Sequence, residues 1–113
     1  MKYETSFNIN NHKWTIKQKS KEEMLDIYKL IEPDATDCLG LTLRQFNTIY
    51  INDGICEDEK IRTLKHELTH CFIWEMGFYY ADFNNEEMIC EFVATIHDFI
   101  NYVMKKVGVD CDK

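Results

Sequence analysis

Apolar and polar residues alternate along Tyr3–Ile9 and again along His12–Gln18, the period of strands with one buried face. Asn10 and Asn11 separate the two runs, and asparagine tolerates the left-handed backbone of a tight turn, so the pattern predicts a β-hairpin. Ser20 followed by Glu23 is a capping-box signature, and Met24, Leu25, Ile27, Tyr28 and Ile31 supply the apolar stripe of a helix that Pro33 closes. Cys38–Ile51 reads as a second strand pair: Leu39, Leu41 and Leu43 alternate, and Thr48-Ile49-Tyr50-Ile51 is rich in β-formers ahead of an Asn52-Asp53-Gly54 turn. A long helix is expected from about Glu57 to Met76, stopping at Gly77. After an aromatic loop from Phe78 to Phe83, Asn84 or Asn85 caps a last helix running to about Lys105. Its expected buried side is Met88, Ile89, Phe92, Ile96 and Ile100. The order β-β-α-β-β-α-α predicts an α+β fold.

Composition narrows what such a fold is for. The chain has 113 residues, 45% of them hydrophobic, enough for one core in a single domain spanning 1–113 that needs no metal as a staple. A net charge of −7 argues against nucleic acid or an anionic membrane surface as partner, because both are held by clustered Lys and Arg. Lys13, Lys17, Lys19 and Lys21 are diluted by acids soon after and read as a solvated face. The five cysteines, Cys38, Cys56, Cys71, Cys90 and Cys111, form no CxxC pair. The first residues lack an apolar signal region, and no apolar run is long enough to cross a bilayer. Free thiols without such signals point to a reducing, cytoplasmic compartment.

The chemistry is concentrated in His66-Glu67-Leu68-Thr69-His70. Residues four apart on a helix point the same way, so two imidazoles can reach one zinc ion while the Glu between them projects beside a bound water. Zinc brings the pKa of that water towards about 7, and Glu67 is then placed as general base. Two solvated histidines on a surface helix would have the same spacing. Against that reading, the motif lies inside a strongly helical stretch flanked by Leu64, Leu68, Cys71 and Phe72, and acidic residues follow downstream.

A hydrolytic zinc site takes a third protein ligand and keeps one position open. Ile73 and Met76 stand where a metzincin has its Gly and third His, so the third ligand is expected from Asn85-Glu86-Glu87-Met88-Ile89-Cys90-Glu91. Glu87 and Glu91 are one turn apart on one face. Glu87 as ligand with Glu91 supporting an imidazole is one assignment, and Glu91 as ligand is the alternative. Glu86 faces away and suits the helix N-terminus. His97 reads as a satisfied histidine, Tyr79 and Tyr80 as loop packing or an oxyanion aid, Cys71 and Cys90 as core thiols, and Trp14 and Trp74 as core or edge-packing residues.

The run TLKHELTHCFIWEMGF followed by NNEEMICEFVATI, with NTIYIN before it, resembles the small ImmA/IrrE-type zinc metallo-endopeptidases, above all the short versions carried by phages and mobile elements. The resemblance covers roughly residues 47–96. It implies a minimal zincin-like fold of gluzincin type, a small antiparallel or mixed sheet packed on the motif helix and a second C-terminal helix. It carries zinc binding onto His66, His70 and Glu87 and the general base onto Glu67. It also implies action on intracellular repressor-type proteins. The chain departs from the longer members in lacking a recognisable DNA-binding domain, and its EEMICEFVA differs from the usual Glu-Ala-Asn-x-Phe-Ala, which leaves Glu87 and Glu91 both open as third ligand. The expectation is therefore a zinc-dependent hydrolase acting on a protein or peptide, with the substrate strand added along the edge of Thr48–Ile51. The alternative is a non-catalytic, zincin-derived metal-binding or regulatory module that acts by contact.

Overall fold

The computed structural model describes residues 1–109; of the cysteines, Cys111 lies outside the described residues. Four strands and three α-helices follow in the expected order: β1 (Glu4–Ile9), β2 (His12–Lys19), α1 (Lys21–Tyr28), β3 (Gly40–Leu43), β4 (Thr48–Asn52), α2 (Glu57–Met76) and α3 (Glu86–Lys106). Asn10 and Asn11 both take positive φ, as the tight β1–β2 turn demands. Ser20 caps α1 by accepting from the Glu23 amide, and Asn85 caps α3 by accepting from Met88. Gly77 ends α2 at φ 79°, a conformation that costs glycine least.

The four strands form one mixed sheet in the order β1-β2-β4-β3. β1 runs antiparallel to β2, β2 parallel to β4, and β3 antiparallel to β4. The fold is thus mixed α and β, with a small sheet against helices. β4 is hydrogen-bonded on both sides, so the expected substrate edge at Thr48–Ile51 is corrected: the exposed edge beside α2 is β3. The Asn52 amide donates to the Leu39 carbonyl. In an antiparallel ladder this puts Leu41 and Leu43 in the bonded pairs and leaves the backbone groups of Gly40 and Thr42 directed off the sheet.

Phe7, Trp14, Ile16, Ile49 and Ile51 point from alternate strand positions into one core with Leu64, Leu68 and Cys71 of α2 and Ile96, Val103 and Met104 of α3. Phe72 carries the aromatic seam to α3, meeting Phe92 and Phe99. Burial at about 25 cal/mol per Å² makes this cluster the main favourable term in stability. Two expected stripes are corrected. In α1 only Met24 is fully buried; the helix stops at Tyr28, a turn bonds Ile31 back to Tyr28, and Ile31 faces solvent. Eight residues make a marginal helix, and Pro33 disfavours helical backbone just before it. In α3 Ile96 is buried and Met88, Phe92 and Ile100 are half-buried, but Ile89 is exposed, and the deepest contacts come later, at Val103 and Met104. No helix among the described residues is long and apolar enough to cross a membrane.

Candidate metal centre

Successive residues of an α-helix are turned by about 100°, which sorts the side chains of α2 into three faces. Leu64, Leu68 and Cys71 point into the sheet and are fully buried. Thr63 and Glu67, four apart, face β3. His66 and His70 lie on the outer face, exposed, and their Nε2 atoms converge to 3.2 Å. Two nitrogens bound to one tetrahedral zinc at about 2.05 Å stand about 3.3–3.4 Å apart, so the pair already has the separation that a shared ion requires. The donor atoms of His66, Glu67 and His70 all lie within 4.8 Å of one another, and these three residues could hold a metal ion. Two imidazoles and a carboxylate are a donor set that suits zinc.

Glu67 is held differently from its neighbours. It is only 8% exposed, and its Oε1 accepts a hydrogen bond of 2.9 Å from the Thr42 hydroxyl of β3. The same hydroxyl lies 3.2 Å from the Glu67 backbone carbonyl, so one proton ties side chain and main chain of the helix to the edge strand. The close approach is possible because residue 40 is glycine. A Cβ there would sit 2.5 Å from Thr63 Cγ2 and 3.0 Å from Glu67 Cγ. Cys38, just before the strand, is buried and donates through Sγ to the Gly40 carbonyl at 3.4 Å. Burial pushes its thiol pKa up, and the nearby charges of Glu67 and Asp37 add to this.

Two clefts meet at Glu67 and His70. The first, of about 560 Å³, runs past His66 between α2 and the Asp37–Leu41 segment and includes Glu59 and Arg62. The second, of about 360 Å³, continues past Leu41 and Thr42 to Arg44, Ile73, Trp74 and Tyr79. Together they make a groove along β3 with the three donors in its middle.

The α3 residues are placed otherwise. Glu86, Glu87 and Glu91 are all exposed, and neither Glu87 nor Glu91 joins the group of donors on α2. Glu91 instead accepts from Thr95 on its own helix, through its backbone carbonyl at 2.7 Å. His97 is exposed and pairs with Asn101 at 3.1 Å. Cys71 is the core thiol expected, its pKa raised to about 12 chiefly by burial with a contribution from the Glu75 charge. Cys90 is not a core thiol: it is exposed on α3, where the half-buried stripe passes beside it. Trp14 is fully buried. Trp74 is 41% exposed, stacked on Tyr79 and beneath Arg44, so it forms a cleft wall rather than core. Gly40, Thr42 and Arg44 lie outside the His66–His70 motif and join the groove through β3 and the turn after it. A glycine inside an alternating strand pattern, Leu39-Gly40-Leu41-Thr42-Leu43, is the signal that could have marked the close backbone approach.

No known protein family, no characterised protein and no solved structure matches the chain.

Proposed function

We propose that the chain is a zinc-dependent hydrolase, a peptidase of minimal zincin-like design similar to the ImmA/IrrE type, acting on a protein or peptide of the cytoplasm. The observation that carries the proposal is the convergence of His66 and His70 beside a buried carboxylate, Glu67, which Thr42 holds at the centre of a groove. Zinc would be held by His66, His70 and a carboxylate of α3, Glu87 by first choice and Glu91 as the alternative. When bound it would supply a water acidified to a pKa of about 7 and a Lewis acid for the scissile carbonyl.

The remaining work falls to the chain itself. Glu67 takes a proton on its carboxylate and returns it to the leaving amine, and the Thr42 hydroxyl keeps that carboxylate from rotating away. The Gly40 amide and the backbone groups of Thr42 point off the sheet and offer an extended peptide a strand to pair with, immediately beside Glu67, while the Gly40 carbonyl also accepts from the Cys38 thiol. Leu41 lines both clefts, so a peptide paired to β3 would pass the three donors.

A second reading has its own support. Because no α3 carboxylate joins the donors, the chain could act by contact, as a metal-binding regulatory module. Glu67→Gln separates the two. On labelled, denatured casein with zinc supplied, a peptidase loses about 10²–10⁴-fold in rate on this substitution while keeping its metal. Equal cleavage by Glu67→Gln and the unsubstituted protein, or a cellular effect that survives the substitution, would contradict hydrolysis as the function.

A further inference from the structure

We infer that the second cleft is a subsite for a carboxylate of the bound peptide, with Arg44 as its specificity-determining residue. The inference rests on the peptidase reading for what the groove binds, but the anion site itself needs no metal. Arg44 opens the short 3₁₀ turn that follows β3, so the chain that forms the groove edge also delivers this side chain to its end. Its guanidinium carbon lies 4.6 Å from the centre of the Trp74 ring. Trp74 in turn stacks on Tyr79, centroids 5.5 Å apart and planes 27° from parallel. A guanidinium laid on an aromatic face is oriented by cation–π and stacking forces, and its N–H edges stay available for a two-pronged grip on a carboxylate.

The charges along the groove point the same way. Arg62, the basic residue of the first cleft, is paired with Glu59, and Asp37 adds a further negative charge there. Arg44 takes part in none of the ion pairs among the described residues. The groove therefore runs from a negative end past Glu67 and His70 to an uncommitted positive end. A peptide laid along it is drawn into register by an acidic group on the Arg44 side and repelled if that group lies on the other. An Arg resting on a Trp merely as surface packing would show no such preference.

The position of Trp74 supplies the readout. Trp14 is fully buried, so quenching of tryptophan emission by a groove ligand reports on Trp74. The probes are two peptide hydroxamates, identical except for Glu or Gln at the second residue from the hydroxamate, titrated into the full chain with zinc and after chelation. The Glu peptide is expected to bind about fivefold more tightly at low ionic strength, a preference that shrinks with added salt. Arg44→Gln removes the preference, and Arg44→Lys keeps only part of it, because an ammonium cannot make the paired contact. Arg44 is exposed, so neither substitution disturbs the core. A Gln peptide with a free rather than amidated C-terminus, matched in length, tells a side-chain carboxylate from a chain end. Equal binding of Glu and Gln peptides to both forms of the protein overturns the inference, as does a Glu preference that survives Arg44→Gln. Hydroxamate binding that ignores zinc would count against the peptidase reading alone and leave the Glu-over-Gln comparison to decide the subsite.

Discussion

The seam between α2 and β3 and the first turns of α3 both present carboxylates, yet they treat them in opposite ways. At the seam Glu67 is buried, bonded to Thr42 and boxed in by a glycine with no room for a Cβ. On α3 Glu87 and Glu91 stand in solvent, with Ile89 and Val93 exposed between and beside them. A carboxylate that must accept a proton in one geometry gains from a rigid setting, because positioning supplies much of general-base catalysis. A carboxylate that only completes a metal shell can be recruited by the ion itself, since binding to the folded state draws on the ion's own affinity. On the proposed function, the base would be built into the fold, whereas a third ligand from α3 would be left for the metal to fasten.

The largest effect expected from breaking this contrast is on zinc affinity. If Glu87 closes the shell, Glu87→Gln weakens zinc binding more than about 100-fold, and Glu91→Gln, in a supporting role, by about 10–100-fold. Competition against a fluorescent zinc chelator measures both. The reverse ranking makes Glu91 the ligand, and two unchanged affinities would remove α3 from the site and favour the contact-acting module. Next in size is Gly40→Ala. Its Cβ would press on Thr63 and Glu67 of a packed helix, an overpacking that costs about 1–3 kcal/mol. For a domain of this size each kcal/mol lowers the melting temperature by about 4–8 °C. A change to alanine on the α3 surface, Glu86→Ala, loses only a favourable charge at the helix N-terminus and is expected to cost about 0.5 kcal/mol. A thermal unfolding series that finds the two alike would dissolve the contrast between a tight seam and a solvated helix face.

The sequence was most legible where its signals were local. Asn10-Asn11, Ser20 with Glu23, Asn85 and Gly77 mark turns and caps through their own backbone preferences, and Gly77 sets the C-terminal bound of α2. The His66-Glu67-x-x-His70 cluster was legible for the same reason, since one helical turn sets its geometry. What could not be read was which element lies against which. The parallel pairing of β2 with β4 joins residues more than thirty positions apart, and no local pattern states it; that pairing is what turned β4 inward and made β3 the edge. Likewise an amphipathic stripe says that a face is apolar and not what covers it, which is why Ile31, Ile89 and Cys90 were expected inside and stand outside. Trp74 and Arg44 form a cleft wall because β3 brings the 3₁₀ turn over α2, a consequence of the same unreadable pairing.

The most direct test is the zinc content of the purified protein, measured by elemental mass spectrometry after exchange into metal-depleted buffer with one equivalent of zinc restored. With His66 and His70 as ligands and Glu67 as base, the unsubstituted chain and Glu67→Gln both retain stoichiometric zinc, and His66→Ala and His70→Ala both lose it while keeping their fold by circular dichroism. Zinc retained equally by the histidine variants, or absent from the unsubstituted chain, would contradict a metal centre at this place.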